Sequence, residues 1–467
     1  MQYIGTLKTY TSKEIEKNPV SIGFECVDRD LIKPEKCYDA IGNCGIKFAR
    51  VQTGWAKTEK EKGVYNFEWL DDMVDNLLER GVTPWFNVGY GNPIYMDNIT
   101  NPTAVGCVPL LYGEECKNAW ANFIRALAEH FRGRVNHYEI WNEADIVQFW
   151  YPGQPSGKEY AGLVRFTREI IKSVIPEAII GICSSTTPSI TFLHDLFKNL
   201  KPGEADFYCA HTYVRFPEEC FVYNRYSETR KLMKKFGHTS CKLYMGEAGH
   251  ASWHPVGHPR VPEGGGSEHR QAVWHLRRFF IDLSAGIEMT SIFQIADMRE
   301  GVYTTVYRND KKPAAQGILN GLVYTPKHSY YTLSRVSTVL SGDISLNDEV
   351  FYITTREITD VKDESIAKLL VERYPKKVTY TRNGKPVYAY WLPFPVETEA
   401  EIIYGATADI PFADIKTPVI IDLLTGKVYR VDEADIEREV YRLTNLPICD
   451  YPMLICDIDT FEIEFDE

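Results

Sequence analysis

No stretch of this chain approaches the roughly 18 consecutive apolar residues of a membrane-spanning helix, which argues against a membrane partner. No basic run stands out either. The charge balance leans the other way, to −12 from 64 acidic and 52 basic residues, and speaks against nucleic acid or an anionic lipid surface. The eleven cysteines are scattered without a CxxC pair, so neither a disulfide framework nor a zinc site is expected. Cys107 and Cys116 lie close enough in sequence to pair, but reduced thiols are the expectation, since Cys183, Cys209 and Cys456 read as buried strand or helix positions. Low-complexity tracts are absent, and no Gly-rich phosphate loop follows the first apolar run, which disfavours an open nucleotide-binding sheet. The opening MQYIGTLKTYTSKE has no charged-then-apolar leader, so a cytoplasmic protein is the default expectation; a secreted one whose leader had been removed would read the same. No metal or other cofactor is expected.

What is present is a rhythm. The 467 residues suit one large domain and one smaller one. From residue 20 to about 340, short apolar runs alternate with helical patterns. The runs are VSIGFECV (20–27), KFARVQ (47–52), TPWFNVGY (83–90), VNHYEIWNEA (135–144), AIIGICSS (178–185), DFYCAHTYV (206–214), KLYMGEAG (242–249) and TSIFQIAD (290–297). Between them, 68–81 and 158–176 read as helices, the second with Leu163, Phe166, Ile170 and Val174 at helical spacing. Eight βα units predict an α/β fold, a (β/α)₈ TIM barrel over 20–344. After that the period changes to alternation. Asn383-Gly384 sits between alternating flanks as a two-residue hairpin turn, and Thr425-Gly426 repeats the pattern, so 345–467 reads as an accessory β-sandwich domain. Residues 1–19 are expected to pack with it.

In such a barrel the C-terminal strand ends face one pocket. The fourth run ends in Trp141-Asn142-Glu143 and the seventh in Gly246-Glu247-Ala248-Gly249. Two carboxylates so placed are what glycosidic bond cleavage needs. One protonates the leaving oxygen, and the other attacks the anomeric carbon or activates water. Each glutamate alone could also serve a structural ion pair.

These stretches resemble clan A of the glycoside hydrolases, and most closely family 39, the family of β-xylosidases and α-L-iduronidase. WAKTEKEKGVYNFEWLDDMVDNLLERGVTPWF (55–86), IWNEADIVQFW (140–150), AHTYV (210–214), YMGEAG (244–249) and FQIAD (293–297) carry the likeness in order. The resemblance implies a retaining glycosidase with Glu143 as acid/base and Glu247 as nucleophile. It implies Asn142 at the sugar 2-hydroxyl, Arg50 keeping the nucleophile ionised, Tyr213 touching the nucleophile or ring oxygen, and His211 in support. The sequence departs from the pattern at Ala144, where proline is usual, and at Phe293, where tryptophan is common on the last strand. Phe293 is carried as a candidate substrate-binding residue, and the change from tryptophan leaves the floor of the sugar subsite, and with it the substrate, open.

Trp55, Trp85, Trp150 and Trp253 are candidate sugar platforms, and each can equally be core. His250, His254 and His258 recur every four residues, but Pro255, Pro259 and Gly264-Gly265-Gly266 oppose a helix there, so a pocket-shaping loop is expected rather than a metal face. Arg215 and Arg299 could meet a uronic acid or lie on the surface. The expected partner is an oligosaccharide or glycoside, cleaved from the end and built of pentose or related sugars, with homo-oligomerisation open. A transglycosylase on the same site and a non-catalytic carbohydrate-binding barrel are the alternatives.

Overall fold

The computed structural model describes residues 1–253, 266–298, 315–355, 375–393, 403–411, 414–431, 434–437 and 439–466. After a first strand, β1 (Gln2–Leu7), eight parallel strands close into a barrel. They are β2 (Val20–Gly23), β3 (Phe48–Gln52), β4 (Thr83–Val88), β5 (His137–Ile140), β6 (Ile179–Ser184), β7 (Phe207–His211), β8 (Lys242–Ala248) and β9 (Thr290–Ile292). The ring closes where Val20 pairs with Thr290 and Ile22 with Ile292. The predicted (β/α)₈ barrel is therefore the fold, and a separate antiparallel sheet region follows it.

The helices form for the reasons their sequences give. Glu68–Glu79 turns Leu70, Met73, Val74 and Leu77 inward at spacings of three and four. In Gly157–Val174 the Ser156 hydroxyl caps the first turn by accepting from the Glu159 N–H at 3.3 Å. Its buried stripe is Leu163, Val164, Thr167, Ile171 and Val174, while Phe166 and Ile170 stay half exposed. Among the described residues no helix is long and apolar enough to cross a membrane.

Inside the barrel, every second residue of a strand faces the axis. The lower layers are apolar: Trp85, Cys183, Phe207 and Cys209 pack with Phe48, Ile179 and Tyr244. The layer above is charged and holds Arg50 and Glu139, both fully buried. The candidate site sits on that charged layer.

The remaining strands are antiparallel. An eight-stranded sheet has the order β10 (Ile344–Leu346), β12 (Lys376–Arg382), β13 (Lys385–Trp391), β19 (Met453–Asp457), β15 (Pro418–Asp422), β16 (Lys427–Arg430), β1, β20 (Ile463–Phe465). A four-stranded sheet has the order β11 (Tyr352–Thr355), β14 (Ile403–Pro411), β18 (Val440–Ile448), β17 (Ala434–Glu437). The Asn383-Gly384 turn is the tight one its sequence predicts: both residues have positive φ, 50° and 82°, and Arg382 pairs directly with Lys385. The Thr425-Gly426 turn differs. Four residues separate β15 from β16, and the Asp422 carboxylate shapes the loop by accepting from the N–H groups of Leu424 and Thr425. No disulfide joins the cysteines whose side chains are described, Cys107 and Cys116 among them.

Candidate active site

A cavity of about 460 Å³ opens at the C-terminal end of the barrel strands, and Glu143 and Glu247 both line it. Glu143 lies three residues beyond β5 in a turn where Trp141 and Glu143 take φ of 70° and 41°. Left-handed backbone at two non-glycine residues is costly, and the surroundings hold it. Asn87 donates to the Trp141 carbonyl at 2.8 Å, the Trp141 indole donates to the Phe149 carbonyl at 2.6 Å, and the Glu143 N–H points at the Cys183 thiol at 3.0 Å.

Glu247 lies within β8, where the β7–β8 register slips by one residue, so that His211 pairs with Glu247 and Gly246 is passed over. Only glycine fits at that slip. A Cβ on Gly246 would come within 2.7 Å of Cys209 Cβ and 3.2 Å of His211 Nε2. The slip brings His211 Nδ1 to 2.8 Å from Glu247 and 3.0 Å from Glu143. Carboxylate oxygens of the two glutamates and this nitrogen all lie within 4.8 Å of one another.

The two carboxyls are pushed apart electrostatically. Burial raises the Glu143 pKa, and the nearby Glu247 charge adds to the rise against the pull of His211. At Glu247, burial also works upward, but His211, the Arg50 charge and a hydrogen bond from Tyr213 overcome it and hold the carboxyl below its usual range. His211 is fully buried; burial alone would lower its pKa, yet Glu247 above all, then Cys183 and Glu143, lift it well above the ordinary value. One carboxylic acid and one carboxylate can thus coexist across a shared imidazolium.

Arg50 is the anchor beneath. Its guanidinium donates to both Glu139 oxygens at 2.9 and 2.7 Å and to Asn142 Oδ1 at 2.9 Å, a fork matched to a carboxylate. Its third nitrogen lies 2.8 Å from Glu25 Oε1 at an angle outside hydrogen-bond geometry. Arg50 therefore acts on Glu247 only through its charge, while its direct partners are Glu139, Glu25 and Asn142. Because the Asn142 oxygen is occupied by Arg50, its NH₂ group is left to face the cavity it lines. Glu139, Cys183 and His211 also offer ligand atoms within 4.8 Å of one another, but both Glu139 oxygens are already taken by Arg50, a fixed cation that disfavours a metal there.

Of the other predicted positions, Tyr213 and Phe293 line the cavity and meet edge to face, their rings 6.4 Å apart. Trp55 does not reach the cavity. After Gly54, at φ 52°, the chain turns outward, and the indole is fully buried in the helix layer between Tyr95 and Phe123, with its N–H donated to Glu59. Trp85 packs low in the barrel with its N–H on Ser21, and Trp150 is buried with its N–H on Glu159. Trp253 is 40% exposed and Arg215 lies over the Phe216 ring; neither is among the cavity's lining residues. Arg299, His254 and His258 lie outside the described residues.

Sequence reasoning missed Glu25, Arg29, Gln52 and Glu139. Glu139 was legible in principle, since it alternates with Trp141 on the acid-bearing strand as Arg50 alternates with Gln52 on β3. Glu25 continues the alternation of β2 just past its end, at the close of the first apolar run, whereas Arg29 lies in the following loop, which no periodicity marks.

The chain is a parallel eight-stranded barrel with two carboxyls of unlike environment at its C-terminal mouth. Comparison with known proteins agrees. The model of "Glycosyl hydrolases family 39" matches residues 31–236. A β-xylosidase of Geobacillus stearothermophilus is 28% identical over 170 residues, which cover 33% of this chain and 31% of that protein, so the match spans about a third of the relative's length. A family 39 glycoside hydrolase from Bacteroides cellulosilyticus superposes with a TM-score of 0.63 at 16% identity, covering 94% of this chain and 80% of that one. A family 39 β-xylosidase from Caulobacter crescentus gives 0.58 at 13% identity, covering 97% and 98%. These two structures share the fold with this chain. Its resemblance to glycoside hydrolase family 39, within clan A, stands in both sequence and fold.

Proposed function

We propose that this protein is a retaining glycoside hydrolase in which Glu143 is the acid/base and Glu247 the nucleophile. The observation that carries the reading is the triangle of Glu143, His211 and Glu247, with carboxylate oxygens within 4.8 Å. Direct attack by a carboxylate needs the carboxyls about 5–5.5 Å apart, whereas inversion needs about 6.5–9.5 Å to admit a water. The close spacing supports double displacement. The opposed pKa shifts support the assignment of roles: the acid keeps its proton near neutral pH and the nucleophile does not.

In the first step Glu247 attacks the anomeric carbon while Glu143 gives its proton to the departing oxygen. In the second, Glu143 takes a proton from water, which displaces Glu247 and releases the sugar. The Asn142 NH₂ is oriented to donate to the 2-hydroxyl, and Tyr213 holds the nucleophile oxygen through its hydrogen bond. The likeness to a β-xylosidase supports pentosides as the first substrates.

A panel of nitrophenyl pentosides, hexosides and uronides tests the activity. Proton NMR of the first-formed sugar tests the stereochemistry. Retained anomeric configuration is expected, and a first product of opposite configuration overturns the double displacement.

A further inference from the structure

The cavity holds a third carboxyl that neither catalytic role uses. Glu25 lies two residues beyond β2 on the same face of the chain as Gly23, which points it toward the barrel axis. Its side chain folds back so closely that a Cβ on Gly23 would come within 3.0 Å of Glu25 Oε1. It is 2% exposed and lines the same cavity as Glu143 and Glu247. Its Oε1 has no hydrogen-bond partner, although Arg50 lies beside it. Oε1 is closed off against the Arg50 guanidinium, so it is the second carboxyl oxygen that is left to face the cavity Glu25 lines, and a buried polar atom there gains by meeting a ligand hydroxyl. The neighbouring wall is polar too: Arg29 donates to Gln52 and to the Cys26 thiol, and both Arg29 and Gln52 line the cavity beside Glu25.

Resting on the hydrolase reading above, we propose that Glu25 is a substrate-binding residue whose carboxyl hydrogen-bonds the 3- or 4-hydroxyl of a neutral sugar held over Glu247. The position follows from the ring. Its anomeric carbon must lie between Glu143 and Glu247, and Asn142 is placed at the 2-hydroxyl. Carbons 3 and 4 then extend away from β5, toward the wall that follows β2. The protonation state suits the role. Burial, and secondarily the Glu247 charge, push the Glu25 carboxyl up to about 7 against the pull of Arg50 and His211. A carboxyl that keeps its proton can donate to a hydroxyl as well as accept from one. It also avoids setting a third negative charge beside the nucleophile.

The test pairs protein and substrate changes. Wild type, Glu25→Gln and Glu25→Ala are assayed on a nitrophenyl glycoside that wild type hydrolyses and on its 3-deoxy and 4-deoxy analogues. Wild type should lose about tenfold in kcat/KM when one of those hydroxyls is removed, and Glu25→Ala about twofold or less for the same removal. Glu25→Gln, which keeps a donor and an acceptor, should recover most of the selectivity. A counter-ion to Arg50 without substrate contact would instead give equal losses with every substrate. Such additivity at both positions overturns the proposal while leaving the hydrolase reading intact. A wild type that hydrolyses no glycoside overturns both.

Discussion

Replacing His211 by phenylalanine keeps most of the side chain's volume and removes a group that contacts both carboxyls proposed as catalytic, Glu143 and Glu247. Its Nδ1 lies 2.8 Å from Glu247 and 3.0 Å from Glu143. His211 is hydrogen-bonded to Glu143 and ion-paired with Glu247; one such charge-assisted contact contributes about 1.5–3 kcal/mol net, so its loss should lower kcat/KM by about 10- to 150-fold at the optimum. The pH profile should move as well. His211 lowers the pKa of Glu247, whose ionised form is active, so removing it raises that pKa and shifts the acid limb to higher pH. His211 also opposes the rise at Glu143, whose protonated form is active, so the alkaline limb should move in the same direction. The whole bell shifts upward rather than narrowing. The assay is kcat/KM on a nitrophenyl glycoside across pH, with thermal melting to confirm the fold. An acid limb that stays in place, or a loss below about threefold, refutes the assignment of His211 as the bridge.

The two glutamates separate by azide rescue. Glu143→Ala should regain turnover with azide and give a glycosyl azide of the substrate's configuration, whereas Glu247→Ala should give the inverted azide; product NMR reads both, and exchanged outcomes mean exchanged roles. Arg50→Ala strips the partner from the fully buried Glu139 and from Glu25, and should destabilise the protein by about 3–5 kcal/mol in urea unfolding. A loss under about 1 kcal/mol would show that the buried charges relax without it. Gly246→Ala should push against Cys209 and His211 and disturb the His211–Glu247 contact, lowering kcat at least about tenfold with a smaller effect on KM; unchanged kcat would show that the register slip is not needed for catalysis.

The barrel was legible because a βα unit writes its period into local sequence. Eight apolar runs spaced by helical stretches leave few topologies, and a strand end is the place where a Glu must point into the shared mouth. Trp141-Asn142-Glu143 and Gly246-Glu247-Ala248 could therefore be picked out without coordinates. The tight turn at Asn383-Gly384 was legible for a related reason: two residues of positive φ are a property of the dipeptide. Side-chain direction after a strand has no such period. Trp55 looked like a sugar platform, yet the left-handed Gly54 swings it into the helix layer, where stacking on Tyr95 and Phe123 outweighs access to a ligand. Alternation could mark Glu139 as inward-facing, but that Glu25 and Glu139 both meet Arg50 followed from ring closure, since the sequence neighbours of Arg50 give no hint of either partner. The roles of chemical types at strand ends are local information. Which buried charges face one another depends on closing the ring and on a one-residue slip between β7 and β8, and that register is fixed by packing across the barrel rather than by any segment alone.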